Sequence, residues 1–74
     1  MSYNLLSTVA LAKDIPEHHL RAGDLGAIVQ IYGDNAIEVE FVAASGRTVA
    51  VLTLNNDAVR SIDDHDMLAV RHAV

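Results

Sequence analysis

The chain has 74 residues, no cysteine and a formal net charge of −5, and 51% of its residues are hydrophobic. The absence of cysteine excludes a disulfide framework and a thiolate metal site, and the acidic balance disfavours phosphate backbones and anionic lipids as partners. No apolar run is long enough to span a membrane and no secretory leader is recognisable. We therefore expect one domain over residues 1–74, located in the cytoplasm.

Three strands are predicted in the first part of the chain. The first covers residues 5–13 and is stopped by Pro16. A polar connection over residues 16–26 leads to a second strand at 27–32 and, after a turn at 33–35, to a third at 36–42. In the third strand Ile37, Val39 and Phe41 alternate with two glutamates, which predicts one core face and one solvated face.

Residues 47–54 are apolar on both faces of the fourth predicted strand, which follows a hairpin loop ending at Gly46. A half-buried strand in a small sheet should alternate between apolar and polar residues, so one face of this strand is surplus to the core. The pattern leaves open whether the interior takes Val49 and Val51 or the alternate residues of the strand. An uncovered apolar face of this kind is typical of an interaction site.

The last part of the chain predicts a short 3₁₀ turn near residues 55–60 and an acidic loop at 63–66. Residues 67–72 have the composition of a terminal strand. Several short strands separated by turn signals indicate a small all-β protein, either an antiparallel barrel or a sandwich.

The segments 6–11, 14–18, 23–26, 38–42 and 50–54 together resemble a bacterial family known as domain of unknown function 4926. The resemblance covers nearly the whole chain. It implies a small SH3-like antiparallel β-barrel of about five to six short strands and supplies no catalytic residues. The chain departs from the family at His19, where the family commonly has glycine.

No constellation of residues indicates catalysis, a metal or a cofactor. The four histidines lack the paired spacing of a zinc site: they are His18, His19, His65 and His72. Glu38 and Glu40 would lie about 7 Å apart on one strand face, a separation that could suit an acid and base pair, but a small barrel wall offers them no pocket. The sequence contains no nucleophile elbow and no phosphate-binding loop. We expect that the protein is not an enzyme and needs no cofactor.

The sequence therefore predicts a non-enzymatic protein-interaction module that self-associates through its surplus apolar strand face or an edge strand. The predicted interface consists of Ile28, Tyr32, Ala50, Leu52, Leu54, Met67 and Ala69. Two alternatives stay open: an antitoxin-like partner that neutralises another bacterial protein, and a nucleic-acid-binding SH3-like barrel. The second requires clustered cations and stacking aromatics, whereas the five cations are dispersed and aromatics make up 4% of the chain.

Overall fold

A computed structural model describes residues 3–72 and contains five antiparallel strands and two 3₁₀ turns. The strands are β1 (Thr8–Leu11), β2 (Leu25–Tyr32), β3 (Ala36–Val42), β4 (Thr48–Asn55) and β5 (Val59–Ser61), and the 3₁₀ turns are Pro16–His18 and Asn56–Ala58. The predicted all-β class and the 3₁₀ turn near residues 55–60 are confirmed. Among the described residues, no helix has the length and apolar character required to cross a lipid bilayer.

The strands form one sheet in the order β4-β3-β2-β1-β5. Neighbouring strands are all antiparallel, and β2, β3 and β4 follow one another as a meander. The sheet does not close, because β4 and β5 lie at opposite ends of the order. The predicted barrel is therefore an open sheet, in an arrangement that is broadly consistent with a small SH3-like fold.

The two hairpins of the meander turn where the sequence places glycine. Gly33 has φ of 67° in the turn between β2 and β3, and Gly46 has φ of 90° in the loop before β4. These left-handed conformations cost glycine little, because it has no Cβ. Both predicted hairpin turns are confirmed.

The core is an aliphatic cluster with one aromatic ring at its centre. Its largest fully buried side chains are Phe41, Leu11, Ile28, Ile37, Val9 and Val39. The alternation of β3 explains three of them, because Ile37, Val39 and Phe41 are buried while the residues between them are half-buried on the opposite face. The predicted core face of the third strand is confirmed.

Gly26 allows β2 to lie directly on this core. A Cβ at this position would be 2.5 Å from Cγ1 of Val39 and 2.9 Å from Cε1 of Phe41, distances that no real methyl group tolerates. The glycine that ends the Gly-Asp-Leu-Gly segment at 23–26 is therefore needed for space.

The fifth strand is not where the sequence predicts it. Residues 67–72 form no strand, and β5 instead begins at Val59, immediately after the second 3₁₀ turn. Strand β1 has two edges, and β2 and β5 occupy both of them. The apolar residues of the tail thus have no free neighbour at β1, and strand composition alone does not create a ladder. The first strand is also shorter than predicted, since it covers only Thr8–Leu11.

Candidate interaction surface

Three alternate side chains of β4 face the core. Ala50, Leu52 and Leu54 pair with the three core residues of β3 and point to the same side of the sheet. All three are half-buried and pack against the core cluster. Because β4 is the last strand of the sheet, these residues are covered on the β3 side and partly open on the other.

The opposite face of β4 carries the surplus apolar residues. Val51 is 47% exposed and Val49 is 36% exposed. Tyr32 of β2 lies on this same outer face of the sheet and is 48% exposed. Its hydroxyl donates a 2.6 Å hydrogen bond to Oε1 of Glu38. That hydrogen bond to a carboxylate raises the pKa of the Tyr32 phenol. The outer face is thus a mixture of exposed valines and hydrogen-bonded polar groups.

The backbone of β4 presents unpaired groups at its free edge. The Asn56 amide donates to the Asn35 carbonyl at 3.0 Å, and this bond continues the β3–β4 register by one residue pair. In an antiparallel ladder every second residue pair is hydrogen-bonded. Counting from the Asn35–Asn56 pair, Leu52 therefore belongs to a hydrogen-bonded pair with β3, and its two neighbours do not. The amide and carbonyl groups of Val51 and Thr53 therefore point away from β3. Within residues 3–72, no strand pairs with this edge.

The other edge of the sheet is protected. Strand β5 has only three residues, and one of them is Arg60. The guanidinium of Arg60 makes two hydrogen bonds to the carboxylate of Asp66, at 2.9 and 3.1 Å, which hold the following loop beside the strand. Short length and a charged side chain are devices that prevent edge-to-edge pairing.

Ile28 is one of the residues that the sequence predicts in the interface, but it is buried in the core. Its side chain is fully buried opposite Val39, so it offers no surface to a partner. Simple alternation places Ile28 and Tyr32 on one face, but a bulge between Ile28 and Gln30 shifts the register by one residue. The extra residue sends Gln30 and Tyr32 to the outer face and leaves Ile28 in the core.

Met67 and Ala69, the last two predicted interface residues, lie in an exposed tail rather than in a strand. Met67 is 92% exposed, and Val70, close to it in the tail, is 99% exposed. The tail is fixed at both ends by ion pairs, Arg60–Asp66 and Asp24–Arg71. It borders an open cleft of about 290 Å³ whose other side is residues 22–25. The tail and β4 are thus two separate apolar surfaces.

Asp24 organises the attachment of the tail. Arg71 donates from Nε to Oδ1 of Asp24 at 2.8 Å and from its terminal nitrogen to Oδ2, and the Arg21 amide donates to Oδ2 at 2.8 Å. The Arg71 hydrogen bonds hold the pKa of the Asp24 carboxyl below its usual value. The sequence does not predict this pair, because its members are separated by 47 positions. Its only sequence signal is the presence of Asp24 in the segment 23–26.

The next feature is the arrangement of the histidines and acidic side chains in the described part of the chain. No three histidine or acidic side chains of residues 3–72 lie close enough together to hold a metal ion. Glu38 and Glu40 each accept a hydrogen bond from a neighbouring hydroxyl, from Tyr32 and Thr48 respectively. The β4 edge presents exposed apolar side chains and unpaired backbone groups.

Comparison with known proteins gives one result. A family model described as "Domain of unknown function (DUF4926)" matches residues 5–61, which include all five strands. No curated protein and no solved structure matches the chain. The match ends before the tail, so β4 lies within the family region and the apolar tail lies outside it.

Proposed function

The chain belongs to the DUF4926 family, and we propose that it is a non-enzymatic protein-interaction module that associates through β4. The observation that carries this proposal is the free edge of that strand. It is eight residues long, contains neither a charge nor a proline, and is apolar on both faces. Folded proteins normally protect such an edge, because it can template pairing with another chain. The edge at β5 is protected and the edge at β4 is open, so the two edges of the same sheet differ.

Two properties of the charges support a protein partner over nucleic acid. The net charge is −5, which repels a phosphate backbone. Two of the five cations, Arg60 and Arg71, are already bound to carboxylates of the same chain. An apolar, uncharged strand is better matched to another strand than to a polyanion.

The cytoplasm is the compartment that we propose for this module. A chain without cysteine gains nothing from an oxidising environment. Its association must then rest on backbone hydrogen bonds and apolar contacts, which need no covalent link between chains.

The first prediction concerns Val51, whose side chain lies on the outer face at the free edge. Val51→Lys should weaken association at least about tenfold, because a lysine on an edge strand opposes strand pairing. The mass of the wild-type protein and the variant should be measured by sedimentation velocity from micromolar to near-millimolar concentration. We expect species above the 8.0 kDa monomer for the wild type and the monomer for the variant.

Val42→Lys is the matched control. Val42 is 53% exposed and belongs to β3, which is paired on both sides, so its substitution should leave the mass distribution unchanged. Urea unfolding should show both variants within about 0.5 kcal/mol of the wild type. Two results together would contradict the proposal. The wild type would be a monomer at every concentration, and in a pull-down from its source extract it would retain the same proteins as Val51→Lys.

A further inference from the structure

We propose that the occupant of the β4 edge is the β4 edge of a second copy, paired antiparallel about a two-fold axis at Leu52. This inference rests on the proposed function and deepens it, because it names the partner and the register. Pairing of this kind joins two five-stranded sheets into one continuous sheet. Self-complementary two-fold contacts are also the commonest interface between identical chains.

The directions in which the backbone amide and carbonyl groups of β4 point are compatible with this register. With the axis at Leu52, Val51 stands opposite Thr53 of the second copy, and the same pair recurs on the other side of the axis. These are the residues whose amide and carbonyl groups point away from β3. Each pair exchanges two hydrogen bonds, as antiparallel hydrogen-bonded pairs do. The edge groups that β3 leaves unpaired are thereby satisfied.

The side chains also match across the axis. On the core side Leu52 meets Leu52 of the second copy, and Ala50 meets Leu54 of the second copy. All of them are half-buried in one chain, so pairing covers the flank that the edge position leaves open. No residue of Thr48–Asn55 is charged, so pairing the strand with itself sets no like charges opposite each other.

Charge complementarity appears just beyond the strand ends. The two-fold axis brings Arg47, just before β4, to the same end of the joined strands as Asp57 of the second copy, which lies in the 3₁₀ turn just after β4. Both residues are exposed in one chain, and the symmetry repeats the pair. Two opposite-charge pairs at the rim favour this alignment and oppose the general repulsion between two acidic chains, each of net charge −5. A shift of the axis to Val51 would set Thr53 opposite Val49, which lies at the irregularity in the β3–β4 register and has no partner residue in β3.

The alternative occupant within the same chain is the apolar tail. Its residues 67–70 are held between two ion pairs and border the cleft beside residues 22–25. To pair with β4 of another copy, the tail would have to lose at least one of these contacts. The β4 edge needs no such rearrangement, so we assign the second copy of β4 as its partner.

Single-cysteine variants test the register directly, because the chain has no cysteine of its own. In Leu52→Cys the two sulfurs would belong to a non-hydrogen-bonded pair with Cα atoms about 4.5 Å apart, within disulfide range. In Val51→Cys the two equivalent positions lie diagonally, about 7–8 Å apart, which is too far for a bridge. Ala69→Cys probes the tail.

Mild oxidation followed by non-reducing electrophoresis should give a product of twice the 8.0 kDa mass for Leu52→Cys. The same treatment should leave Val51→Cys and Ala69→Cys as monomers. Equal cross-linking of all three variants, or cross-linking of Ala69→Cys alone, would overturn the inference. If the wild type associates and Val51→Lys weakens that association, but Leu52→Cys gives no dimer, the register fails while the proposed function stands.

Discussion

His19 bears a backbone conformation that histidine adopts at a cost. Its φ is 58° and its ψ is 30°, in the left-handed region that costs an L-residue about 1–2 kcal/mol. The conformation reverses the chain after the first 3₁₀ turn, so that Leu20 pairs with Ile15 and both are buried. The family resemblance points to glycine at this position, and glycine adopts this left-handed conformation more readily than histidine.

The prediction for this residue is that His19→Gly stabilises the protein. The relief of the left-handed strain should exceed the larger unfolded-state entropy of glycine, leaving a net gain of about 0.5–1 kcal/mol in the free energy of unfolding. The histidine side chain is exposed, so little packing is lost. Equilibrium urea unfolding would measure the change.

His18→Gly is the control for this prediction. His18 is also exposed but belongs to the 3₁₀ turn, so its replacement should lower stability by about 0.5–1 kcal/mol. Equal effects of the two substitutions would show that the conformation of His19 carries no strain.

Gly26 depends on space rather than on conformation. We expect Gly26→Ala to lower the free energy of unfolding by about 1–3 kcal/mol, because the new methyl group overlaps the core. The closest atom is Cγ1 of Val39 at 2.5 Å. In a Val39→Ala background the same substitution should therefore cost less, and a double-mutant cycle by urea unfolding would measure the difference. Identical costs in both backgrounds would rule out this contact as the cause.

At the scale of elements, the tail is a segment attached to the sheet mainly by charge. Arg71 donates to the Asp24 carboxylate and to the His19 carbonyl, the latter at 3.0 Å. The residues between the two ion pairs are highly exposed. The attachment should therefore respond to pH, while the strands should not.

The hydrogen bonds from Arg71 hold the pKa of the Asp24 carboxyl in the folded protein below its ordinary value. The stabilisation by Arg71 is therefore complete above the unfolded-state pKa, and it is lost as pH falls through the folded-state pKa. We expect the tail to stay attached at neutral pH and to detach only as the pH falls well below the ordinary aspartate pKa of about 3.9. Backbone NMR signals of residues 67–72, followed from pH 7 to pH 2, would report the release.

Asp24→Asn should detach the Arg71 end of the tail already at pH 7, with a loss of about 1–2 kcal/mol in stability. Asp66→Asn is the matched control, because it breaks the other ion pair and leaves Arg71 bound. A pH profile of the tail signals that is unchanged in Asp24→Asn would contradict the assignment of the switch to Asp24.

For the whole molecule, the sequence predicts local features well and long-range ones poorly. The alternation of β3, the hairpin turns at Gly33 and Gly46 and the second 3₁₀ turn are visible because they depend on neighbouring residues. The burial of Ile28 is not visible, because one bulge reverses the face on which it lies. The apolar composition of the tail predicts a strand there, whereas the available edges of β1 decide which segment pairs with it.

For the same reason, only the local part of the candidate site can be predicted from the sequence. The doubly apolar character of β4 can be read directly from residues 48–54. Its position at an open edge depends on the order of all five strands, which no local pattern encodes. The salt bridge between Asp24 and Arg71 depends on the position of the tail beside residues 22–25.

The unequal edges of this sheet also set the valency of the molecule. The sheet has one open edge at β4, and its other end is the three-residue β5 with Arg60 bound to Asp66. Two chains that join at β4 therefore present only β5 at both ends of the combined sheet, and a third chain finds no template. In the pairing that we propose, strand addition stops at two chains, so a protein with 51% hydrophobic residues can use an open edge without seeding fibrils.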